Sequence, residues 1–452
     1  MSSTNSSVRV GVLSLHNSKE TKAICNAIEA LGHEPFWLRK ENTSISISDG
    51  TISLTPSVDI IANRLLLSNT AQPCEDLGLA RTLEEIAPVL NPPQATFMAI
   101  HKFATATRLA NQGIPVPDAF LALDSTTLNE NRPAFGDLAV YKTAIGTHGG
   151  GTWSVGQDAM INASVGNRRA FLQKMIWPES ETNRDLRVYI VDDAIVGAMY
   201  RYAPDNDWRT NVALGGDVED ATDTLEASVR DIALDAAAAL DLDYAGVDLV
   251  EGPDGWYVLE VNPTAGFRGL FRATGRSPAP YIAQLAIEEA GGSVSTQTVE
   301  ELSNALDDST PACTPQPRSS YIQSNSTTVG LTEEVVVMGT SGSETVIGKS
   351  DTGASRTSID TSLAAAIGAG PIKNITKIKS GSSKSSKTRP VVDVVVGIGG
   401  NQHTVTASVE DRSHMQYPAL LGRDILKHYS VDVTREIDRK SDARDPEVLT
   451  EE

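Results

Sequence analysis

The sharpest chemical spacing in this chain lies in two neighbouring runs, Tyr244-Ala-Gly-Val-Asp248-Leu-Val and Trp256-Tyr-Val-Leu-Glu260-Val-Asn262-Pro, separated by a turn at Asp254-Gly255. They predict a hairpin. Positions two apart on a strand share a face, so Glu260 and Asn262 point one way and Asp248 meets them from the neighbouring strand. Three hard oxygen donors then converge, which suits Mg2+ held jointly by carboxylates and substrate phosphates. Solvent-facing acids on an edge hairpin are the bland alternative, but an apolar strand does not bury Asp and Glu without compensation. Upstream, Leu138-Ala-Val-Tyr-Lys142 is a strand ending in a lysine, followed by a loop closing on Gly149-Gly150-Gly151. Backbone N–H groups of such a loop close on phosphate oxygens while the ammonium supplies a point charge. A plain glycine turn between strands fits that segment equally well.

A different chemistry is suggested by Asp351-Thr352-Gly353 and, later, Ala419-Leu-Leu-Gly422-Arg-Asp424. An Asp-Thr-Gly turn after a strand presents a carboxylate to a second one across a symmetry axis, and close like charges make the pair share a proton. Only one such triplet occurs, so a complete pair requires two chains and a homodimer is expected through this region.

The elements that must position these groups follow from hydrophobic periodicity. Residues 8–15 read as a buried strand and 18–31 as a helix closed by Gly32. Further alternation runs through a strand at 58–62 and a helix at 75–87 to a break at Asn91-Pro-Pro93. Strands and helices continue to a helix at 279–290. A Ser-, Thr-, Pro- and Asn-rich stretch at 293–328 predicts a flexible linker. Beyond it, short β-type runs at 334–338, 390–396 and 403–409 predict a small, mostly β domain. The divisions are thus 1–93, 94–292, 293–328, 329–435 and a charged tail at 436–452.

Composition bounds the function. The 452 residues are 40% hydrophobic, 21% charged and 5% aromatic, with a net charge of −20. Such a chain buries a core, and its charge repels nucleic-acid backbones. The acid excess also suits a halophilic source. Residues 329–452 hold 15 basic and 17 acidic side chains, so nearly all of the negative charge lies on residues 1–328. Cys25, Cys74 and Cys313 form neither a disulfide framework nor a zinc knuckle. No apolar stretch is long enough to span a bilayer and no signal region opens the chain, so a cytoplasmic protein away from membranes is expected.

The ordered motifs His101-Lys102, Lys142 with its glycine loop, Leu172-Gln-Lys-Met-Ile176, Arg184-Asp-Leu-Arg-Val-Tyr189, Trp208-Arg-Thr-Asn211, Ala245-Gly-Val-Asp248 and Leu259-Glu-Val-Asn262 resemble the ATP-grasp superfamily, and within it the RimK-type glutamate ligases. The resemblance covers about 94–292. It implies an α+β ATP-grasp domain preceded by an α/β domain, with ATP and Mg2+ (or Mn2+) as cofactors. Position by position, it implies that Lys102 and Lys142 grip phosphates, that Lys174 and Met175 form the adenine hinge, and that Asp185 lies near the sugar. Arg209, Thr210 and Asn211 would reach the phosphate and acceptor side, with Arg209 catalytic, while Asp248, Glu260 and Asn262 hold metals. Arg187 and Arg201 either neutralise a phosphate or pair a buried acid. Lys174 and Arg268 stand where the family usually has acids, so Arg268 and Arg272 either fork an acidic substrate or are ordinary surface arginines.

The 330–433 region, through Asp351-Thr-Gly, Arg389-Pro-Val-Val392, Asp411-Arg-Ser-His-Met-Gln-Tyr-Pro418 and Leu421-Gly-Arg, resembles the RimB retropepsin-like peptidases, with Ser355 inserted relative to their motif. That resemblance implies a β fold, Asp351 as catalytic carboxylate, and removal of glutamates added by a RimK-type ligase. His403, His414 and His428 read as isolated, giving zinc little support. Lysines 373, 377, 379, 384 and 387 with Arg389 make either a basic flap for an acidic tail or a solvated loop. The expectation is a ligase that joins glutamate to a carboxylate acceptor such as a ribosomal protein tail, fused to a peptidase. The alternative is a ligase for a small-molecule cofactor or peptide, with a C-terminal module that only binds or dimerises.

Overall fold

A computed structural model describes residues 7–70, 72–146, 151–166, 168–177, 183–204, 208–210, 216–315, 327–370, 372, 374–379 and 386–437. The chain forms two compact units: 1–123 with 130–157 and 170–320, and 124–129 with 158–169 and 321–452.

The first unit opens on β1 (Arg9–Leu13), α1 (Lys19–Ala30) and β2 (Glu34–Leu38), then a hairpin of β3 (Ser44–Ser48) and β4 (Thr51–Thr55), then β5 (Ile60–Asn63), α2 (Pro73–Glu84) and β6 (Val89–Leu90). Among the described residues, β2-β1-β5-β6 make a parallel sheet. The helix expected at 18–31 is α1, and the Ser18 hydroxyl oxygen accepts from the Thr21 N–H as its cap. The predicted break at Asn91 is a left-handed residue (φ 51°), fully buried. Its side chain bonds the backbone of Asp243, Tyr244 and Pro263, which fixes the first sheet against the start and end of the hairpin that carries Asp248 and Glu260.

Next come α3 (Pro93–Ile100), α4 (Lys102–Asn111) and β7 (Ala119–Phe120); α5 (Ser125–Asn131) lies mostly in the second unit, as does β10 (Ser164–Val165), and β8 (Leu138–Thr143), β9 (Thr152–Gly156) and β11 (Arg168–Lys174) form an antiparallel layer. A second antiparallel sheet runs in the order β14 (Val218–Asp220), β13 (Ala194–Tyr202), β12 (Arg184–Val191), β15 (Tyr244–Gly252), β16 (Gly255–Asn262). One face of it packs on α6 (Ala227–Ala238), and the other on α7 (Arg268–Thr274) and α8 (Ala279–Glu289). The apolar alternation of β12 and β15 supplies these two cores.

The linker expected at 293–328 is folded in its first part. α9 (Thr296–Ser303) buries Val299, and Leu306 and Cys313 pack against the core that holds Cys25 of α1. The composition is polar, but Asn26 of α1 donates to the carbonyls of Asp307 and Ser309, which gives the segment's backbone partners on the domain surface.

The second unit carries β17 (Thr328–Gly330), β18 (Thr332–Met338), β19 (Ser343–Ser350), β20 (Ser358–Asp360), α10 (Thr361–Ala366), β21 (Asn374–Lys379), β22 (Ser386–Ile398), β23 (Asn401–Glu410), β24 (Ala419–Leu421), α11 (Arg423–Leu426) and β25 (Ser430–Asp432). The order β18-β19-β24-β20-β23-β22 closes on itself through β18 and β22, a six-stranded barrel with β21 added at the side. Closure removes the exposed edges that short strands otherwise leave. The multidomain fold class expected from the sequence is the one present. No helix among the described residues is long and apolar enough to cross a membrane.

Candidate active site

In the hairpin, Asp248 stands opposite Glu260 and Gly246 opposite Asn262, with a register shift just after Asp248. The shift belongs to the carboxylate-bearing stretch, where an irregular ladder re-aims side chains. Gly246 is required for packing: a Cβ there would lie 2.7 Å from the Ala265 Cβ, beside the stem of Arg187.

Asp248 and Glu260 in this hairpin each have a cation. Arg187 on β12 faces Asp248 across the ladder and binds it with two prongs, Nε to Oδ1 at 2.5 Å and Nη2 to Oδ2 at 2.6 Å. Arg201 on β13 reaches the same carboxylate at 3.0 Å, while also forking Asp185 at 2.6 and 2.5 Å. The Thr210 hydroxyl donates to Asp185 at 2.5 Å. Lys102 closes on Glu260, whose second oxygen accepts from the Asn262 amide at 3.0 Å. Of the two roles open to Arg187 and Arg201, pairing a buried acid is the one this state displays.

Electrostatics follow from that arrangement. Burial pushes the Asp248 carboxyl up, against the pull of Arg187 and Arg201. Burial acts upward on Glu260 as well, but the Lys102 ammonium overrides it and holds that carboxyl well below its usual range. Lys142, buried on β8 with its ammonium 5.7 Å from the centre of the Phe171 ring, is lowered to about 7 by burial and by repulsion from Lys102. The two lysines are held near each other because the Lys102 N–H bonds the Ala144 carbonyl just past β8 (2.8 Å).

These groups line one cavity of about 680 Å3. Lys102, Lys142, Lys174, Met175, Asp185, Arg201, Arg209, Thr210, Asp248, Glu260, Asn262 and Arg268 are all on its wall. Lys174 ends β11 with an exposed ammonium 3.9 Å from Asp118, and Met175 beside it is buried. Arg209 is buried and donates to the Thr152 carbonyl (3.1 Å). Arg268 reaches the wall already paired with Asp308 at 2.8 Å, an acid from the segment expected to be linker. Gly151 follows the glycine loop with φ +74°, while Gly149, Gly150 and Asn211 lie outside the described residues.

Two carboxylates and an amide oxygen on facing strands suit a hard divalent cation that shares its coordination with phosphate. Among the described residues no group of three or more His, Cys, Asp or Glu side chains is placed to hold a metal. Sequence reasoning missed the contribution of the first sheet: His16, Lys19, Glu20 and Arg64 lie on the same wall. The available signal was a charged residue, Arg64, just after the strand-like run 58–62 and Asn63.

In the second unit, Asp351 follows β19, and its N–H bonds the Leu421 carbonyl (2.9 Å). Its Oδ1 accepts from the N–H groups of Gly353 (2.8 Å) and Ala354 (3.1 Å). Asp424 accepts from the Thr357 N–H and hydroxyl at 3.0 and 2.8 Å, and Ser355 between these anchors is exposed. Gly422 permits the closure, since a Cβ there would meet the Arg356 carbonyl carbon at 2.4 Å. Glu410 is held between Arg389 (2.5 Å) and Arg412 (2.8 Å). His403 and His428, expected to be isolated, stack at 5.1 Å, because β23 and the turn after α11 pack together; His403 also meets the Tyr429 hydroxyl at 2.6 Å. The side chains of residues 373–388 lie outside the described set.

A RimK-like ATP-grasp domain matches residues 99–285, and the retropepsin-like aspartic endopeptidase RimB matches 360–441, a span that begins after Asp351. A tetrahydromethanopterin:alpha-L-glutamate ligase of Methanocaldococcus jannaschii is 35% identical over 202 residues, 42% of this chain and 67% of its own length. A protein of the same name from Methanosarcina acetivorans is 28% identical over 58% of this chain and 93% of its own. A probable alpha-L-glutamate ligase of Haemophilus influenzae is 30% identical over 41% and 62%. The structure of the ATP-grasp ligase PsnB complexed with minimal precursor is 20% identical, covers 62% of this chain and 99% of that one, and superposes with a TM-score of 0.50, which shows a shared fold. The chain belongs to the RimK-like ATP-grasp family, whose relatives here are named alpha-L-glutamate ligases, is an ATP-dependent carboxylate–amine ligase, and carries a RimB-like retropepsin-type domain.

Proposed function

We propose that this enzyme joins glutamate to a carboxylate acceptor through an acyl phosphate, with Mg2+ as the working metal. The observation that carries the reading is the meeting of Asp248, Glu260 and Asn262 with Lys102 and Lys142 on one cavity wall. An acceptor carboxylate oxygen attacks the γ-phosphorus of ATP and ADP leaves. The glutamate amine then attacks the acyl carbon, inorganic phosphate leaves, and the amine gives up a proton. Asp248, Glu260 and Asn262 would hold the metal, which supplies charge neutralisation for the transferred phosphoryl group. Lys102 and Lys142 bind phosphate oxygens, and Arg209 with Thr210 serves the reacting phosphoryl group, where fixed cations stabilise developing charge. Lys174 and Met175 border the adenine, and Asp185 keeps Arg201 in place near the sugar side.

Residues 1–93 and 94–292 form the ligase, and 329–435 a peptidase domain in which Asp351 is the catalytic carboxylate, paired with its copy in a cytoplasmic homodimer. The acceptor is a protein C-terminus in this reading, and the peptidase removes the added glutamates. The relatives that act on tetrahydromethanopterin favour a second reading, a small-molecule acceptor. Purified protein with ATP, Mg2+ and single amino acids, followed by ADP release and product mass, tests both. Release stimulated by an amino acid other than glutamate ends the glutamate reading, and the product mass separates a peptide acceptor from a small molecule.

A further inference from the structure

Arg64 follows β5 directly, and its N–H bonds the Leu13 carbonyl at the end of β1 (2.9 Å). From β1 the sheet continues to β2 on one side, and from β5 to β6 on the other. The gap between the carboxyl ends of β1 and β5 is therefore the topological switch point, where open parallel sheets place their ligands. The residues at that gap, from His16 to Glu20 together with Arg64, line the cavity that holds Lys102 and Glu260.

Arg64 is only 4% exposed. Its Nη2 donates to the carbonyls of Thr264 (3.2 Å) and Ala265 (3.1 Å), and its guanidinium lies 5.1 Å from the centre of the Phe267 ring. Its Nε has no hydrogen-bond partner. Arg201, equally buried, and the partly buried Arg187 each close on a carboxylate, whereas Arg64 closes no ion pair among the described residues. A desolvated guanidinium without an anion is costly, and its planar fork matches a carboxylate. Glu20, in the first turn of α1, lines the same wall and acts on Arg64 electrostatically. It offers an acceptor for an ammonium, so the two side chains match the two charges of a free amino acid.

Resting on the ligase reading above, we propose that Arg64 binds a carboxylate of the acidic substrate at the mouth of the first sheet, and so sets the preference of the ligase for acidic partners. The carboxylate belongs either to the incoming amino acid or to the acceptor, and the two sources are separable. Calorimetry on the full chain, saturated with a non-hydrolysable ATP analogue and Mg2+, uses L-glutamate in one arm and a synthetic peptide ending in two glutamates in the other. Arg64→Gln is expected to weaken one of these about 10- to 100-fold, the scale of a lost charged hydrogen bond, with affinity for the ATP analogue unchanged. The arm that weakens names the source. Unchanged affinity in both arms, or a loss confined to the nucleotide, overturns the proposal. Where Arg64→Gln does not fold, Arg64→Lys keeps the charge and loses the fork; it is expected to weaken binding severalfold, and wild-type affinity in it likewise overturns the role. A wild-type chain that binds neither probe overturns it too. The ligase reading falls separately, on absence of an ATP-dependent product.

Discussion

Arg187 and Asp248 stand opposite each other on adjacent antiparallel strands and meet through two contacts, at 2.5 and 2.6 Å, with the carboxylate almost fully buried. Arg201 closes the other side of Asp248 at 3.0 Å. A buried acid is thus flanked inside a strand pair by two guanidinium groups, and these contacts stabilise the hairpin that carries it. Removing one partner of a buried pair costs about 3 to 5 kcal/mol, and with Arg201 still present the lower end is expected for Arg187→Met. Urea unfolding of the full chain measures it. Arg187→Met with Asp248→Leu should recover much of the loss, and a single variant as stable as wild type contradicts the pairing.

Glu260→Gln removes the charge that holds Lys102 and leaves an amide where a metal ligand is expected. Substrate-stimulated ADP release should fall by about 100-fold or more, on the scale of lost transition-state stabilisation. Titration of Mg2+ against activity should shift to higher concentration. Wild-type turnover in this variant would remove the metal assignment.

Stability of the second unit should depend on pH through His403. Burial, then the neighbouring His428, lowers its imidazole from 6.5 to about 4. The unfolded chain therefore binds the proton first as pH falls. The stability His403 permits is complete above about 6.5, is lost as pH drops toward 4, and levels off below. Melting temperatures between pH 4 and 7 should slope less in His403→Gln than in wild type. Equal slopes would assign the acid sensitivity elsewhere.

Asp351→Ala separates a peptidase from a binding module. Loss of hydrolysis of a glutamylated product, with binding kept, supports a catalytic carboxylate. Unchanged hydrolysis ends the peptidase reading. Sedimentation of the same samples reports the dimer, and a strictly monomeric chain with full hydrolytic activity excludes a carboxylate pair shared between copies.

The amino-acid sequence alone determined the local facts. Period-two alternation around Asp248, Glu260 and Asn262 made a hairpin with its donors on one face, because side-chain direction along a strand is fixed by the pleat. Apolar spacing with Ser18 as cap made α1, and motif order marked both domains. Partnership was not local. Asp248 meets Arg187 from 61 residues away, Arg64 reaches the backbone of Thr264 and Ala265, and Arg268 finds Asp308 in a polar stretch that composition alone cannot distinguish from linker. Whether an arginine faces water, a phosphate or a buried acid depends on which strands become neighbours and how much solvent they exclude. Strand order and burial decided that here, and with it which cations, such as Arg187, Arg201 and Arg268, already have a carboxylate partner.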